Sequence, residues 1–124
     1  MNASMANLFG VPDTPNAPTV VHGLAVNTGV YEGPARLVAD STDFDRVQRG
    51  DVLVTRMTSP YFTVVLPLLG AIVTDRGGQL SHAAIVAREY GIPGIVGTRD
   101  ATRVIPDGAR IRVDGTTGEV QLLK

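Results

Sequence analysis

The stretch Ala71-Ile72-Val73-Thr74-Asp75-Arg76-Gly77-Gly78-Gln79-Leu80-Ser81-His82-Ala83-Ala84-Ile85-Val86-Ala87-Arg88-Glu89-Tyr90-Gly91 decides how this chain folds. Its first four residues form a short apolar run of strand type. Gly77 and Gly78 then give a tight turn, because glycine adopts backbone angles closed to other residues. Ser81 suits an N-cap, where its hydroxyl accepts a hydrogen bond from a backbone N–H left free in the first helical turn. His82 is then the first helical residue, and residues 83–90 continue the helix. Arg88 lies near the negative C-terminal end, and Gly91 and Pro93 stop the helix.

This placement gives the His82 imidazole a particular chemistry. A helix N-terminus presents unpaired N–H groups and a partial positive charge, so it attracts anions, phosphoryl groups among them. The Gly77-Gly78 turn brings further backbone amides toward the same anion. A neutral imidazole is a nucleophile near neutral pH. A histidine here is therefore suited to carrying a phosphoryl group covalently. The alternative is that His82 only caps or packs the helix start.

The wider segment, Thr74 to Glu89 followed by Tyr90-Gly91-Ile92-Pro93-Gly94-Ile95-Val96-Gly97-Thr98, resembles the phosphohistidine signature of the PEP-utilising enzymes. That family includes phosphoenolpyruvate synthase, pyruvate phosphate dikinase, enzyme I of the sugar phosphotransferase system, rifampin phosphotransferase and phenylphosphate synthase. The glycine pair, Ser-His, Ala-Ile-Val-Ala-Arg-Glu, Gly-Ile-Pro and Val-Gly all fall in the family order. The resemblance covers roughly the last hundred residues. It implies the three-layer β/β/α swivelling fold, with His82 as the phosphorylated residue. One departure is Leu80, where dikinases and enzyme I usually carry threonine. The Leu-Ser-His form resembles the antibiotic- and phenol-phosphorylating branches.

Composition fits one small domain. Of 124 residues, 44% are hydrophobic and 19% charged, a globular balance rather than a disordered one. The net charge of −1 gives no basic surface for nucleic acid or anionic membrane. With no cysteine, disulfides, thiolate metal sites and cysteine nucleophiles are excluded. The two histidines, His22 and His82, are well separated and speak against a histidine-rich metal site, so no metal is expected. No apolar run is long enough to span a membrane, and the N-terminus lacks the parts of a signal peptide, so the expected location is cytoplasmic.

Along the chain, residues 1–18 carry Pro12, Pro15 and Pro18 and read as a flexible arm, with a docking arm as the alternative. The domain is expected over residues 19–124. Residues 19–40 read as strand-like and punctuated by Gly29, Gly33 and Pro34, with His22 on a strand edge, and residues 23–38 resemble the family's opening pair of strands. Residues 43–50 read as a solvated helical turn or loop, and Asp51-Val52-Leu53-Val54-Thr55 as a strand. Ser59 as cap and Pro60 in the first turn begin a helix that runs to about Leu66, where Pro67 kinks or ends it. Residues 51–75 thus form a βαβ unit with parallel strands. A short strand at residues 94–97, a short helix at 100–105 and a hairpin of 110–114 with 119–123 complete the domain.

Phosphoryl transfer needs charge neutralisation, usually by Mg²⁺ and basic side chains. The chain has no Gly-rich Lys-Ser/Thr loop. The expectation is therefore that this chain binds no cofactor itself, with ATP and Mg²⁺ held by a partner. The resemblance implies an ATP-grasp nucleotide-binding subunit or domain and a separate acceptor-binding subunit or domain, with the chain expected as a free subunit that swings between them and an excised domain of a larger enzyme as the alternative. It places Thr74, Gly77, Gly78, Ser81 and Ala83 around the phosphoryl group on His82. Arg76 is a candidate for phosphate neutralisation or docking, and a solvated arginine is the plainer reading. Arg88 is expected to serve the helix dipole. A hydrolase using Ser81 with His82 is disfavoured, because adjacent helical residues point in different directions and no Gly-x-Ser-x-Gly elbow is present. The remaining rival is a non-catalytic binding or regulatory module whose histidine is never phosphorylated.

Overall fold

Val52-Leu53-Val54-Thr55 and Ala71-Ile72-Val73-Thr74 are buried at every position, the pattern of strands covered on both faces. In the computed structural model, which describes residues 19–123, they are central strands of an eight-stranded sheet. The strands are β1 (Thr19–His22), β2 (Leu24–Asn27), β3 (Val30–Leu37), β4 (Val52–Thr55), β5 (Ala71–Thr74), β6 (Gly94–Val96), β7 (Arg110–Asp114) and β8 (Glu119–Leu122). The helices are α1 (His82–Tyr90) and α2 (Ala101–Val104), and 3₁₀ turns occupy Ser41–Arg46, Pro60–Val64 and Leu66–Leu68. The strand order is β1-β8-β7-β3-β4-β5-β6-β2. The β3–β4, β4–β5 and β5–β6 pairs are parallel, and the others are antiparallel.

Strand β3 is where the sheet changes character. Residues 30–34 pair antiparallel with β7, whereas Ala35, Arg36 and Leu37 pair parallel with Val52, Leu53 and Val54 of β4. The sheet folds over at this strand, and two cores result. Leu53, Ile72 and Val96 pack against Ala83, Ala84, Val86 and Ala87 of α1. Val52, Val54, Val73 and Ile95, on the opposite face, pack against Ile111, Val113, Val120 and Val21. The fold is thus α1 on one half-sheet and that half-sheet on the other: the β/β/α layering that the family resemblance implies.

Three local expectations need correction. Residues 23–38 supply the two opening strands, β2 and β3, but these pair with β6 and with β4 and β7, not with each other. β1 joins β8 at one edge of the sheet and β2 joins β6 at the other, parting at Gly23, whose N–H donates to the Gly118 carbonyl at 2.8 Å. Second, Gly33 and Pro34 do not break the chain, since β3 runs through both. A Cβ at Gly33 would lie 2.8 Å from the Gly50 carbonyl oxygen and from the Tyr31 ring, so the glycine serves close packing. Pro34 has no N–H to offer, and it sits where β3 passes from β7 to β4. Third, the helix after Ser59 is two 3₁₀ turns joined at Val65, and Ser59 makes no side-chain cap bond. Phe62, Val65, Leu68 and Leu69 each donate to the carbonyl three residues back. Pro67 lies inside the second turn, where its missing N–H forbids an α-helical bond to Thr63. Residues 1–18, including the proposed arm, lie outside the described residues.

Candidate active site

β4, β5 and β6 run in one direction, so their carboxyl ends share one rim. This is where open parallel sheets place their ligands. The strands stay stitched together past their ends. Asp75 N–H donates to Thr55 O at 3.1 Å and Arg76 N–H to Arg56 O at 2.9 Å. Thr98 N–H donates to Thr74 O at 3.1 Å, and Arg99 N–H to Asp75 O at 2.8 Å. The loops that follow β4, β5 and β6 are therefore held side by side.

The turn from β5 into α1 is built as its residue types require. Gly77 has φ of 110°, and a Cβ there would stand 2.9 Å from Ser81 Oγ. Ser81 donates its hydroxyl to the Gly78 carbonyl at 2.8 Å and accepts from Ala84 N–H at 3.3 Å, which is the capping bond. Gly91, at φ 68°, closes the other end of α1 in the left-handed conformation. The N–H groups of His82 and Ala83 have no protein acceptor among the described residues. They and the helix dipole form an anion-attracting corner.

His82, the first residue of α1, is half-buried. Its Nδ1 lies 2.7 Å from Thr58 Oγ1, and Thr58 is only 5% exposed. That contact fixes the ring plane and leaves Nε2, among the described residues, as the nitrogen without a hydrogen-bond partner. The ring borders a cleft of about 190 Å³ lined by Met57, Thr58, Arg76, Gly77, Ser81, His82 and Ala83.

Of the residues anticipated for the site, Gly77, Ser81, His82 and Ala83 meet in this cleft together with Arg76. Gly78 stands behind it and anchors Ser81 through its carbonyl. Thr74 is fully buried; its hydroxyl donates to the Arg76 carbonyl at 2.6 Å, so it braces the turn. Arg88 donates from Nε to the Val26 carbonyl at 3.1 Å, which ties α1 to β2. His22 sits at the end of edge strand β1, 3.8 Å from Glu119. Sequence reasoning missed Thr58. The signal was the parallel β4–β5 pairing, which sets the residues after β4 beside the loop that carries His82.

The arrangement can hold a doubly charged oxyanion against backbone N–H groups while presenting one ring nitrogen to it. Residues 47–118 match the family model described as PEP-utilising enzyme, mobile domain. A rifampicin phosphotransferase from a Streptomyces species is 48% identical over 101 residues, 82% of this chain and 12% of that protein. A probable phosphoenolpyruvate synthase from Pyrococcus abyssi is 43% identical over 110 residues, 89% of this chain and 13% of that protein. The two branches match at comparable identity. The chain spans about one eighth of the length of these relatives. Among solved structures, the solution structure of an Enzyme I protein superposes with a TM-score of 0.56 at 31% identity, covering 64% of this chain and 33% of that one. A histidine opening a helix at the rim of a β/β/α fold, in a segment that matches these phosphotransferases, makes this chain a member of the PEP-utilising enzyme mobile-domain family.

Proposed function

We propose that this chain is a phosphoryl carrier in which His82 Nε2 takes a phosphoryl group at one site and gives it up at another. The observation that carries this reading is the ring's position: Nδ1 is held by Thr58 at the first residue of α1, and the ring borders the cleft that Ala83 and Ser81 also line. With the proton on Nδ1 and donated to Thr58 Oγ1, Nε2 keeps its lone pair for attack. In the first step the Nε2–P bond forms as the donor's P–O bond breaks, and the electron pair leaves with the donor oxygen. In the second step an acceptor oxygen attacks phosphorus, and the pair returns to Nε2. Splitting the transfer this way replaces one difficult step by two easier ones.

The N–H groups of His82 and Ala83, with the α1 dipole, neutralise the transferred group. The donor, ATP or PEP, and its Mg²⁺ belong on an ATP-grasp nucleotide-binding partner, and the acceptor on a further partner or domain. The family membership and the multidomain length of the relatives support this division. Intact mass after incubation with ATP, Mg²⁺ and the nucleotide-binding partner tests it, with His82→Ala alongside. A single acid-labile, base-stable phosphoryl group that needs His82 is the expected result. Partner binding with no phosphoryl uptake from ATP or PEP leaves instead a non-catalytic binding module.

A further inference from the structure

Arg56, Arg76 and Arg99 converge around Asp75 on a cleft of about 290 Å³ at the same rim as His82. Each comes from a different loop, after β4, β5 and β6 respectively. All three are exposed, and among the described residues none makes an ion pair or a side-chain hydrogen bond. The Asp75 carboxylate offsets one of the three charges but makes no ion pair with any of them among the described residues: its two oxygens accept from Thr102 N–H at 2.9 Å and Thr102 Oγ1 at 2.6 Å, which leaves the cleft a formal surplus of positive charge. Neighbouring carboxylates are likewise engaged. Asp100 pairs with Arg103 at 3.0 Å, and Asp43 takes Ala39 N–H at 2.8 Å and faces Arg46. Three unpartnered guanidiniums therefore share one cleft in a chain whose net charge is −1.

Arg99 carries a second sign of selection for position. It has φ of 78°, the one non-glycine residue in the left-handed region among the described residues. Side chains rarely adopt that conformation, and it is retained mainly where surrounding structure and function demand it. Here Gly97 at φ 68° and the Arg99 N–H bond to Asp75 O hold the loop so that Arg99 lines the cleft.

We propose that Arg56, Arg76 and Arg99 form a second anion site that holds a phosphate-class oxyanion next to the one His82 serves. Arginine forks match phosphate oxygens in pairs. Arg76 lines both clefts, so an anion in the arginine cleft lies directly beside the His82 pocket. The assignment of that anion to the donor's remaining phosphates rests on the carrier reading; the site itself does not.

The test is titration of the 124-residue chain with pyrophosphate, and separately with orthophosphate, followed by amide and arginine Nε NMR. Saturable shifts at Arg56, Arg76 and residues 97–99 are expected. Arg56→Gln and Arg99→Gln should each weaken binding by about tenfold or more. Arg99→Gly should weaken it as much while keeping or raising the unfolding midpoint, because glycine tolerates the left-handed backbone. Tighter pyrophosphate than orthophosphate identifies linked phosphates of a donor as the source; the reverse identifies free phosphate. His82→Gln should bind pyrophosphate as before, so a chain that is never phosphorylated can still show the site. No saturable shift at millimolar anion, shifts confined to residues 77–83, or binding unaltered by the glutamine variants overturns the proposal. An effect of those variants on partner binding alone would assign the cleft to protein carboxylates and equally overturn it.

Discussion

Thr58→Val separates the orientation of the histidine from its chemistry. The substitution swaps a hydroxyl for a methyl group of nearly the same volume at a position 5% exposed, so it opens no cavity. What it removes is the 2.7 Å contact between Thr58 Oγ1 and His82 Nδ1. A hydrogen bond of this kind contributes about 1 kcal/mol net. Half-buried His82 can replace the lost partner with water, so global stability should move by no more than about 1 kcal/mol. The same energy bears directly on the fraction of rings that stand in the reactive plane with the proton on Nδ1. A 1 kcal/mol loss there lowers the phosphorylation rate by roughly fivefold, and the upper value of 1.5 kcal/mol lowers it by roughly tenfold. Single-turnover phosphoryl uptake with the nucleotide-binding partner gives the rate, and imidazole ¹⁵N NMR gives the tautomer. Thr58→Ser, which keeps the hydroxyl, should recover most of the rate. A Thr58→Val protein with the native rate and an unchanged ¹⁵N pattern would refute the claim that Thr58 sets the ring.

Other expectations follow from the same geometry. Gly77→Ala imposes a φ of 110° on a side chain whose Cβ would meet Ser81 Oγ at 2.9 Å, so denaturant melts should show a loss of about 1–3 kcal/mol together with impaired phosphoryl uptake. Asp51→Asn takes the carboxylate from Arg36, 2.8 Å away, where side-chain exposures are 3% and 19%; a loss of about 2–3 kcal/mol is expected by thermal or chemical unfolding. That carboxylate also holds the Arg36 guanidinium above its ordinary pKa through the hydrogen bond between them. Asp43 behaves oppositely to Arg36: the Ala39 N–H bond, helped by Arg46, depresses its pKa. Its folded value lies below its unfolded one, so its contribution is present above the ordinary carboxylate pKa and is lost as pH falls through the depressed value. Carboxyl ¹³C titration should place the Asp43 midpoint below that of an unstructured aspartate, and Ala39 N–H protection should fall with it.

Much of this architecture was legible because it is local. The Ala71–Thr74 strand, the Ser81 cap, the α1 helix and the Gly91 stop each depend on residues within one or two turns of one another, and each is found as read. The parallel β4–β5 pairing follows from an apolar run on either side of a short crossover. Non-local features were not legible. Gly33-Pro34 carries the composition of a turn, yet the pressure that makes residue 33 glycine comes from the Gly50 carbonyl and the Tyr31 ring. Nothing near His22 or Leu24 tells β1 and β2 to seek opposite edges of the sheet. At the site, the glycine turn and histidine announce themselves, whereas Thr58, 24 residues earlier, meets His82 only after the strands pair. The three arginines are equally scattered in sequence, and only the rim gathers them.

The small residues beneath α1 have one further consequence. A Cβ at Gly94 would come within 2.8 Å of Ala87 Cβ and 3.0 Å of Val26 Cγ2, so the helix backbone lies almost directly on β6. With Ala83, Ala84 and Ala87 on its inner face and Arg88 tied to the Val26 carbonyl, α1 has neither long side chains to swing on nor slack in which to roll. The histidine is thus a fixed tooth on a rigid wheel: it cannot be re-aimed inside the domain, and any change in what it faces has to come from displacing the whole body.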